Sequence, residues 1–278
     1  MKRLNSFIFI PANIEKYYKK IPEMNVDALI IDLEDSLPNK GYLDVFSIIK
    51  RNVDLLSEKP LFVRINNTNK VEIERDFDFL EQIKKETKLQ IEGLFIPKFE
   101  KYDNIYNIFL KINSKIKILI IIETAKGLNN LKPSLEKYHS KIFGISIGAE
   151  DLNEDLDYER TKENLIFYRR EISFASKLYN KFCFDTVYPF FKDDQGFLKE
   201  IDNIKSFGFN GKLLIHPRQV ELFNSSFYLS ENEVIEYKMI IKKYEALKQK
   251  GKGVLVYKDK IYERPHINTL RKKLKYFS

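Results

Sequence analysis

The chain has 278 residues, 44% of them hydrophobic, and a net charge of +8. That hydrophobic content supports a sizeable core and argues against a disordered chain. The single cysteine, Cys183, excludes an internal disulfide framework and fits a reducing compartment. The longest pure apolar run, Ile118–Ile122, is far short of a membrane span, and Phe7–Ile10 is too short for a signal-peptide core. A cytoplasmic protein without membrane contact is therefore expected.

Short runs rich in β-branched and aromatic residues recur at Phe7–Ile10, Ala28–Ile31, Leu61–Ile65, Gly93–Ile96, Ile118–Ile122, Ile142–Ile147, Phe182–Val187 and Leu213–Ile215. They are apolar on both parities, as strands covered on both faces are. Stretches at helical period lie between them, with Ile73–Thr87 and Tyr168–Leu178 the plainest. Alternating strands and helices predict an α/β fold with parallel pairing. Eight units before residue 225 is the count of a (β/α)8 TIM-type barrel. An open doubly wound sheet is the competing arrangement, but the first strand runs into Pro11-Ala12-Asn13, without a Gly-rich phosphate loop. Residues 1–225 are thus expected to form the catalytic barrel, and 226–278 a C-terminal helical and hairpin appendage. In that appendage Ser230 and Glu233 form a capping box opening a helix to about Lys250. A hairpin around Lys258-Asp259-Lys260 and a basic helix, about His266 to Tyr276, follow.

Catalytic groups of such a barrel sit just past the C-terminal ends of its strands. The apolar runs here are followed by Asp32, Glu34 and Asp35; by Arg64, Asn66 and Asn67; by Lys98; by Glu123; by Gly148, Glu150 and Asp151; by Asp185 and Tyr188; and by His216. Glu123 and Asp151, on adjacent strands, could share a hard cation, and Mg²⁺ takes one or two carboxylates with water and substrate. Zinc is not expected, because the three histidines are scattered and no Cys/His cluster exists. Arg64 emerges from a buried strand, where it can grip a carboxylate, stabilise an enolate oxygen, or close the rim as an ion pair with Asp32, Glu34 or Asp35. His216, between Ile215 and Pro217, reads as a packed turn residue, and Cys183, between two phenylalanines, as core. The basic balance suits an anionic partner, but no nucleic-acid motif is present, so a nucleic-acid function is not expected.

Taken together, Phe9-Ile10-Pro11-Ala12-Asn13, Ile31-Asp32-Leu33-Glu34-Asp35-Ser36, Val63-Arg64-Ile65-Asn66, Ile96-Pro97-Lys98, Ile122-Glu123-Thr124, Gly148-Ala149-Glu150-Asp151-Leu152, Gly208-Phe209-Asn210-Gly211-Lys212 and Ile215-His216-Pro217-Arg218-Gln219 resemble the citrate lyase β-subunit-like family of the HpcH/HpaI aldolase superfamily. The resemblance implies a Mg²⁺-dependent carbon–carbon lyase or aldolase on a 2-oxo or 3-hydroxy acid, carried as a citryl-, malyl- or citramalyl-type CoA thioester. Glu123 and Asp151 would hold the metal. Arg64 would contact the substrate's carboxylate or carbonyl, supported by Glu34 and Asp35, and Asp32, Lys98, Gly148 and Ala149 would line the substrate pocket. It also implies a homotrimer or larger, in which the C-terminal segment can cap a neighbour's site. In that segment Glu263 stands where synthase-type members carry an Asp, which leaves a base possible but displaced by a methylene. A pocket-bearing paralogue without turnover, and an aldolase on a substrate without CoA, are the alternatives.

Overall fold

The computed structural model describes residues 4–35, 41–67, 69–100, 108 and 115–277. Lys2, Arg3 and Ser36 lie outside them. Eight parallel strands close into one barrel: β1 Ser6–Pro11, β2 Ala28–Asp32, β3 Leu61–Arg64, β4 Ile91–Ile96, β5 Lys117–Ile122, β6 Gly144–Ile147, β7 Phe182–Asp185 and β8 Gly211–Leu214. Each pairs with the next in sequence, and β8 returns to β1 through Phe7 opposite Leu213. The expected (β/α)8 barrel is therefore the fold.

Between the strands run α1 Glu15–Tyr18, α2 Tyr42–Arg51, α3 Val53–Ser57, α4 Lys70–Thr87, α5 Ala125–Tyr138, α6 Ala149–Asp155, α7 Lys162–Leu178 and α8 Asp194–Phe207. α4 begins three residues before its apolar period, because the Asn69 side chain accepts from Glu72 N and caps it. α7 begins six residues early for the same reason, with Thr161 accepting from Asn164 N. α4 opens on Lys70-Val71-Glu72 with Val71 exposed, and α7 on the polar Lys162-Glu163-Asn164, so periodicity does not register these openings.

Strand parity decides what enters the barrel. Phe7, Ala28, Ile30, Phe62, Phe95, Leu119, Ile121, Phe184 and Leu213 form one buried interior cluster. The Phe7 ring meets Phe62, Phe95 and Phe184 edge-on at centroid separations of 5.1, 5.5 and 4.9 Å, the arrangement that ring quadrupoles favour. Gly93, opposite Phe62 in the register, leaves space for that ring: a Cβ there would lie 2.5 Å from Lys117 O and would overlap the Phe62 ring.

By contact density the chain divides into two compact units, Met1–Leu222 and Phe223–Ser278. After α9, Pro217–Phe227, the second unit holds α10 Glu231–Gln249, the antiparallel hairpin β9 Leu255–Tyr257 and β10 Lys260–Tyr262, and α11 Arg264–Phe277. Ile240, Tyr244, Leu255, Ile267 and Leu270 form its own small core. Ser230 and Glu233 make the full capping box at the start of α10. Among the described residues, no helix is long and apolar enough to cross a membrane.

Candidate active site

Continuing each inward parity one step past the core gives the site. Ala28 and Ile30 lead to Asp32, Phe62 leads to Arg64, and Leu119 and Ile121 lead to Glu123. These polar side chains therefore stand on the barrel axis at the C-terminal rim. Phe9, Arg64, Ile121, Glu123, Gly148, Ala149, Glu150, Asp151, Thr186 and Leu213 share one cleft there. Arg64, Glu123, Asp151, Gly148 and Ala149, expected from scattered segments, are thus brought together.

Arg64 is the most constrained group of the rim. Its Nε and Nη2 grip Asp32 at 2.7 and 2.9 Å, Nη2 reaches Asp35 at 2.6 Å, and Nη1 lies 3.0 Å from Glu34. The guanidinium also sits over the Phe9 ring, 5.0 Å from its centroid. The ion-pair arrangement read for it is the one observed: three acids fix its plane, and it lines the cleft. Glu34 also lies 2.9 Å from Lys98 Nζ. Burial raises the Glu34 pKa despite Arg64 and Lys98, which pull the other way.

Lys98 is left-handed, with φ 47°, a conformation uncommon outside glycine. The turn aims its backbone N–H at Glu123 Oε1, 2.6 Å away. Its side chain meets Glu34 rather than standing alone, so the residue fastens two acids of the rim. Glu123 is 2% exposed. Burial, reinforced by Glu34 and Asp151, pushes its pKa up to about 8. Gly148 stands against it: a Cβ at that position would fall 2.5 Å from Glu123 Oε2. Asp151, in the first turn of α6, is exposed to the cleft.

Asn66 and Asn67 tie the rim loops together. Asn66 donates through Nδ2 to Leu33 O at 3.2 Å, and its N–H reaches the buried Asp76 at 2.6 Å. Asn67 Nδ2 donates to Pro97 O at 2.8 Å.

Three groups expected at the rim are elsewhere. Asp185 follows the inward-facing Phe184, so it points outward, to the helix side of the wall, where Arg169 and Lys212 pair with it. Tyr188 is buried and donates to Asp193 at 2.6 Å. His216 stacks on Phe191 and accepts from Arg218 N, a packed turn as its Ile-His-Pro setting indicates. Cys183 is fully buried, and its burial pushes the thiol up to about 11. Glu263 belongs to the second unit, exposed just before α11, where its N–H donates to His266 Nδ1 at 3.1 Å. Thr186 and Leu213 of the cleft carry no signal in sequence, since neither is a motif residue; parity from Phe184 would have found Thr186.

The donor set fits a divalent cation. Apart from Glu150, which pairs with Arg160, the rim holds five carboxyl groups (Asp32, Glu34, Asp35, Glu123, Asp151) beside two cationic side chains, Arg64 and Lys98. Burial first, and then the neighbouring Glu34 and Asp151, disfavour the charged form of Glu123, and a cation beside it would offset both. No group of three or more metal-type ligands occurs among the described residues, which excludes a closed zinc-like cage but not the one or two carboxylates that Mg²⁺ takes.

Known proteins resemble this chain in sequence and in fold. The family model described as "HpcH/HpaI aldolase/citrate lyase" matches residues 5–217. Human mitochondrial citramalyl-CoA lyase is 27% identical, with 93% of this chain and 81% of that protein covered. Citrate lyase subunit beta of Leuconostoc mesenteroides subsp. cremoris is 29% identical, with 94% and 88% covered. The solved structure of CitE from Mycobacterium tuberculosis, in complex with magnesium, acetoacetate and coenzyme A, superposes with a TM-score of 0.75 at 18% identity, covering 99% of this chain and 98% of that one.

Proposed function

The chain belongs to the HpcH/HpaI aldolase/citrate lyase family, and we propose that it is a Mg²⁺-dependent carbon–carbon lyase acting on a 3-hydroxy acid carried as a CoA thioester, of citryl-, malyl- or citramalyl-CoA type. The observation that carries the reading is the acid-rich rim, where Arg64, gripped by Asp32, Glu34 and Asp35, shares one cleft with the buried Glu123 and with Asp151. The names of its relatives, citrate lyase subunit beta and citramalyl-CoA lyase, favour the thioester.

In this reading Glu123 and Asp151 hold the ion. When bound, Mg²⁺ would supply a Lewis acid that stabilises negative charge developing on the substrate, worth about 3 kcal/mol. Arg64, its plane fixed by Asp32, Glu34 and Asp35, orients the carboxylate or carbonyl of the 2-oxo acid fragment. Lys98, Gly148 and Ala149 form the wall against which the acid lies. For cleavage, a base takes the proton of the substrate's hydroxyl, the carbon–carbon bond breaks as that oxygen becomes a carbonyl, and its electron pair passes to the thioester fragment as an enolate, which is then protonated. Glu263 is assigned as the base, or as the group that deprotonates the thioester in the reverse condensation. As the family resemblance implies, the reading includes a homotrimer or larger in which the C-terminal unit caps a neighbour's rim.

The test is a cleavage assay on citryl-, malyl- and citramalyl-CoA with Mg²⁺ and with EDTA, beside titration calorimetry with oxaloacetate, pyruvate and glyoxylate. One thioester should be cleaved, with activity abolished by EDTA and reduced at least ~10²-fold in Glu123→Ala and in Asp151→Asn. Full activity in both variants would sink the metal assignment. Cleavage of no thioester, with one acid still bound in Mg²⁺, would point to an aldolase on a substrate without CoA.

A further inference from the structure

Behind β7 and β8, on the helix side of the barrel wall, six charged side chains close on one another. Lys212 Nζ lies 2.5 Å from Asp185 Oδ2, 3.0 Å from Glu200 Oε2 and 2.6 Å from Thr186 O. Arg169 grips Asp185 through Nε and Nη2 at 2.8 and 2.9 Å and reaches Glu200 Oε2 at 2.8 Å. Arg160 takes the other oxygen of Glu200 at 2.8 Å and pairs with Glu150. Three cations thus meet three anions. Asp185 and Lys212 are fully buried and Arg169 nearly so. A buried set of this kind is often no more stable than a packed apolar cluster of the same volume, because desolvation offsets the attraction. Stability alone therefore gives no reason for it.

What the set does supply is position. Two arms leave it, and both end on the first turn of α6. One runs from Arg160 to Glu150. The other runs from Lys212 to the Thr186 carbonyl, while Thr186 Oγ1 accepts the Ala149 N–H at 3.2 Å. Glu150 keeps 48% of its side chain in solvent, so the buried Thr186 arm is the firmer of the two. Ala149 and Glu150 are held, and Asp151 is the next residue along the turn.

We infer that this buried network is a clamp that positions the first turn of α6, and with it Asp151 beside Glu123, making Arg160 and Thr186 positioning residues of the metal site. The consequence for the metal rests on the Mg²⁺ reading above; the clamp on α6 does not. The pairing explains why a lysine sits inside the otherwise apolar β8 and why the segment between α6 and α7 carries an arginine with only 12% of its side chain exposed.

The experiment uses Arg160→Met, Thr186→Val and Arg160→Lys in the full chain. Arg160 lies at the solvent edge of the set, so its truncation leaves Arg169, Asp185 and Lys212 paired. Three quantities are read: Mg²⁺ affinity by calorimetry without substrate, exchange of the Leu152 amide, which bonds Gly148 O at 3.0 Å, and the melting temperature. Arg160→Met and Thr186→Val should each weaken Mg²⁺ by about 10-fold, the scale of losing a group that orients a ligand, and should speed Leu152 exchange. Arg160→Lys should recover part of both. Parental Mg²⁺ affinity together with parental Leu152 exchange, even at a lowered melting temperature, would leave the network a stabilising feature only and overturn the inference. If the parent itself binds no Mg²⁺, the metal reading fails, and unchanged exchange in the variants would then overturn the clamp separately.

Discussion

Arg64 shows how much one side chain can be asked to do. Three carboxylates hold its guanidinium, with ion-pair and hydrogen-bond distances between 2.6 and 3.0 Å. Lysine could carry the charge but not the planar fork that satisfies Asp32 at two points. Arg64→Lys should therefore lower kcat of the cleavage reaction by ~10²-fold or more, the scale for an electrostatic stabiliser, with the fold intact by circular dichroism. Gly148 is constrained differently. Its φ is ordinary for any residue, but a methyl group there would meet Glu123 at 2.5 Å. Gly148→Ala should push the glutamate aside and weaken Mg²⁺ binding by roughly the 10-fold or more seen when ligand orientation is lost; calorimetry on the purified variant checks it. Unaltered Mg²⁺ affinity would mean that Glu123 is not a ligand or that its side chain has room to swing.

At the scale of elements, strand parity and helix caps do most of the work. Gly93 in β4 gives the Phe62 ring its place among the interior phenylalanines. Gly93→Ala should destabilise the barrel by about 1–3 kcal/mol, the usual cost of overpacking a filled core, seen as a lower urea midpoint. At the start of α10, the Ser230 hydroxyl caps Glu233 N while the Glu233 carboxylate takes Ser230 N at 2.9 Å. Ser230→Ala should cost the second unit about 1 kcal/mol, read by denaturant unfolding. The start of α7, six residues ahead of Tyr168, follows the same logic, with Thr161 capping a polar opening that leads to the buried Leu165.

For the whole molecule, the buried ion pairs set a dependence on acid. Burial alone would raise the Asp185 pKa, but Arg169 and Lys212 outweigh it and hold the carboxyl down at about 2. A carboxyl depressed in the folded state contributes stability that is complete above its unfolded pKa near 3.8 and is lost as pH falls toward 2. Stability should therefore drop between about pH 4 and pH 2. Asp185→Asn should be less stable at neutral pH, because it leaves Lys212 underpaired, yet should show a shallower pH slope in that window. Urea unfolding at several pH values measures both. An equal slope in parent and variant would place the acid sensitivity in other carboxyl groups.

The barrel was legible because its information is local. A strand covered on both faces must be apolar throughout, and eight such runs, including Phe7–Ile10 and Ile118–Ile122, announce themselves without knowledge of their partners. The polar residues that follow them, Arg64, Glu123 and Asp151 above all, were legible because a parallel barrel sends every strand end to the same rim. What only the tertiary structure decided is which of those ends face the axis. Asp185 and Asp32 each end a strand, yet one turns to the helices and the other inward against Arg64, since parity is counted from a core that no single segment reveals. The pairings of Lys212 with Asp185 and Arg160 with Glu200 span 27 and 40 residues, and nothing local marks them. Charge partners are selected by the closing of the barrel and the packing of helices on it, and so they come into being only with the fold.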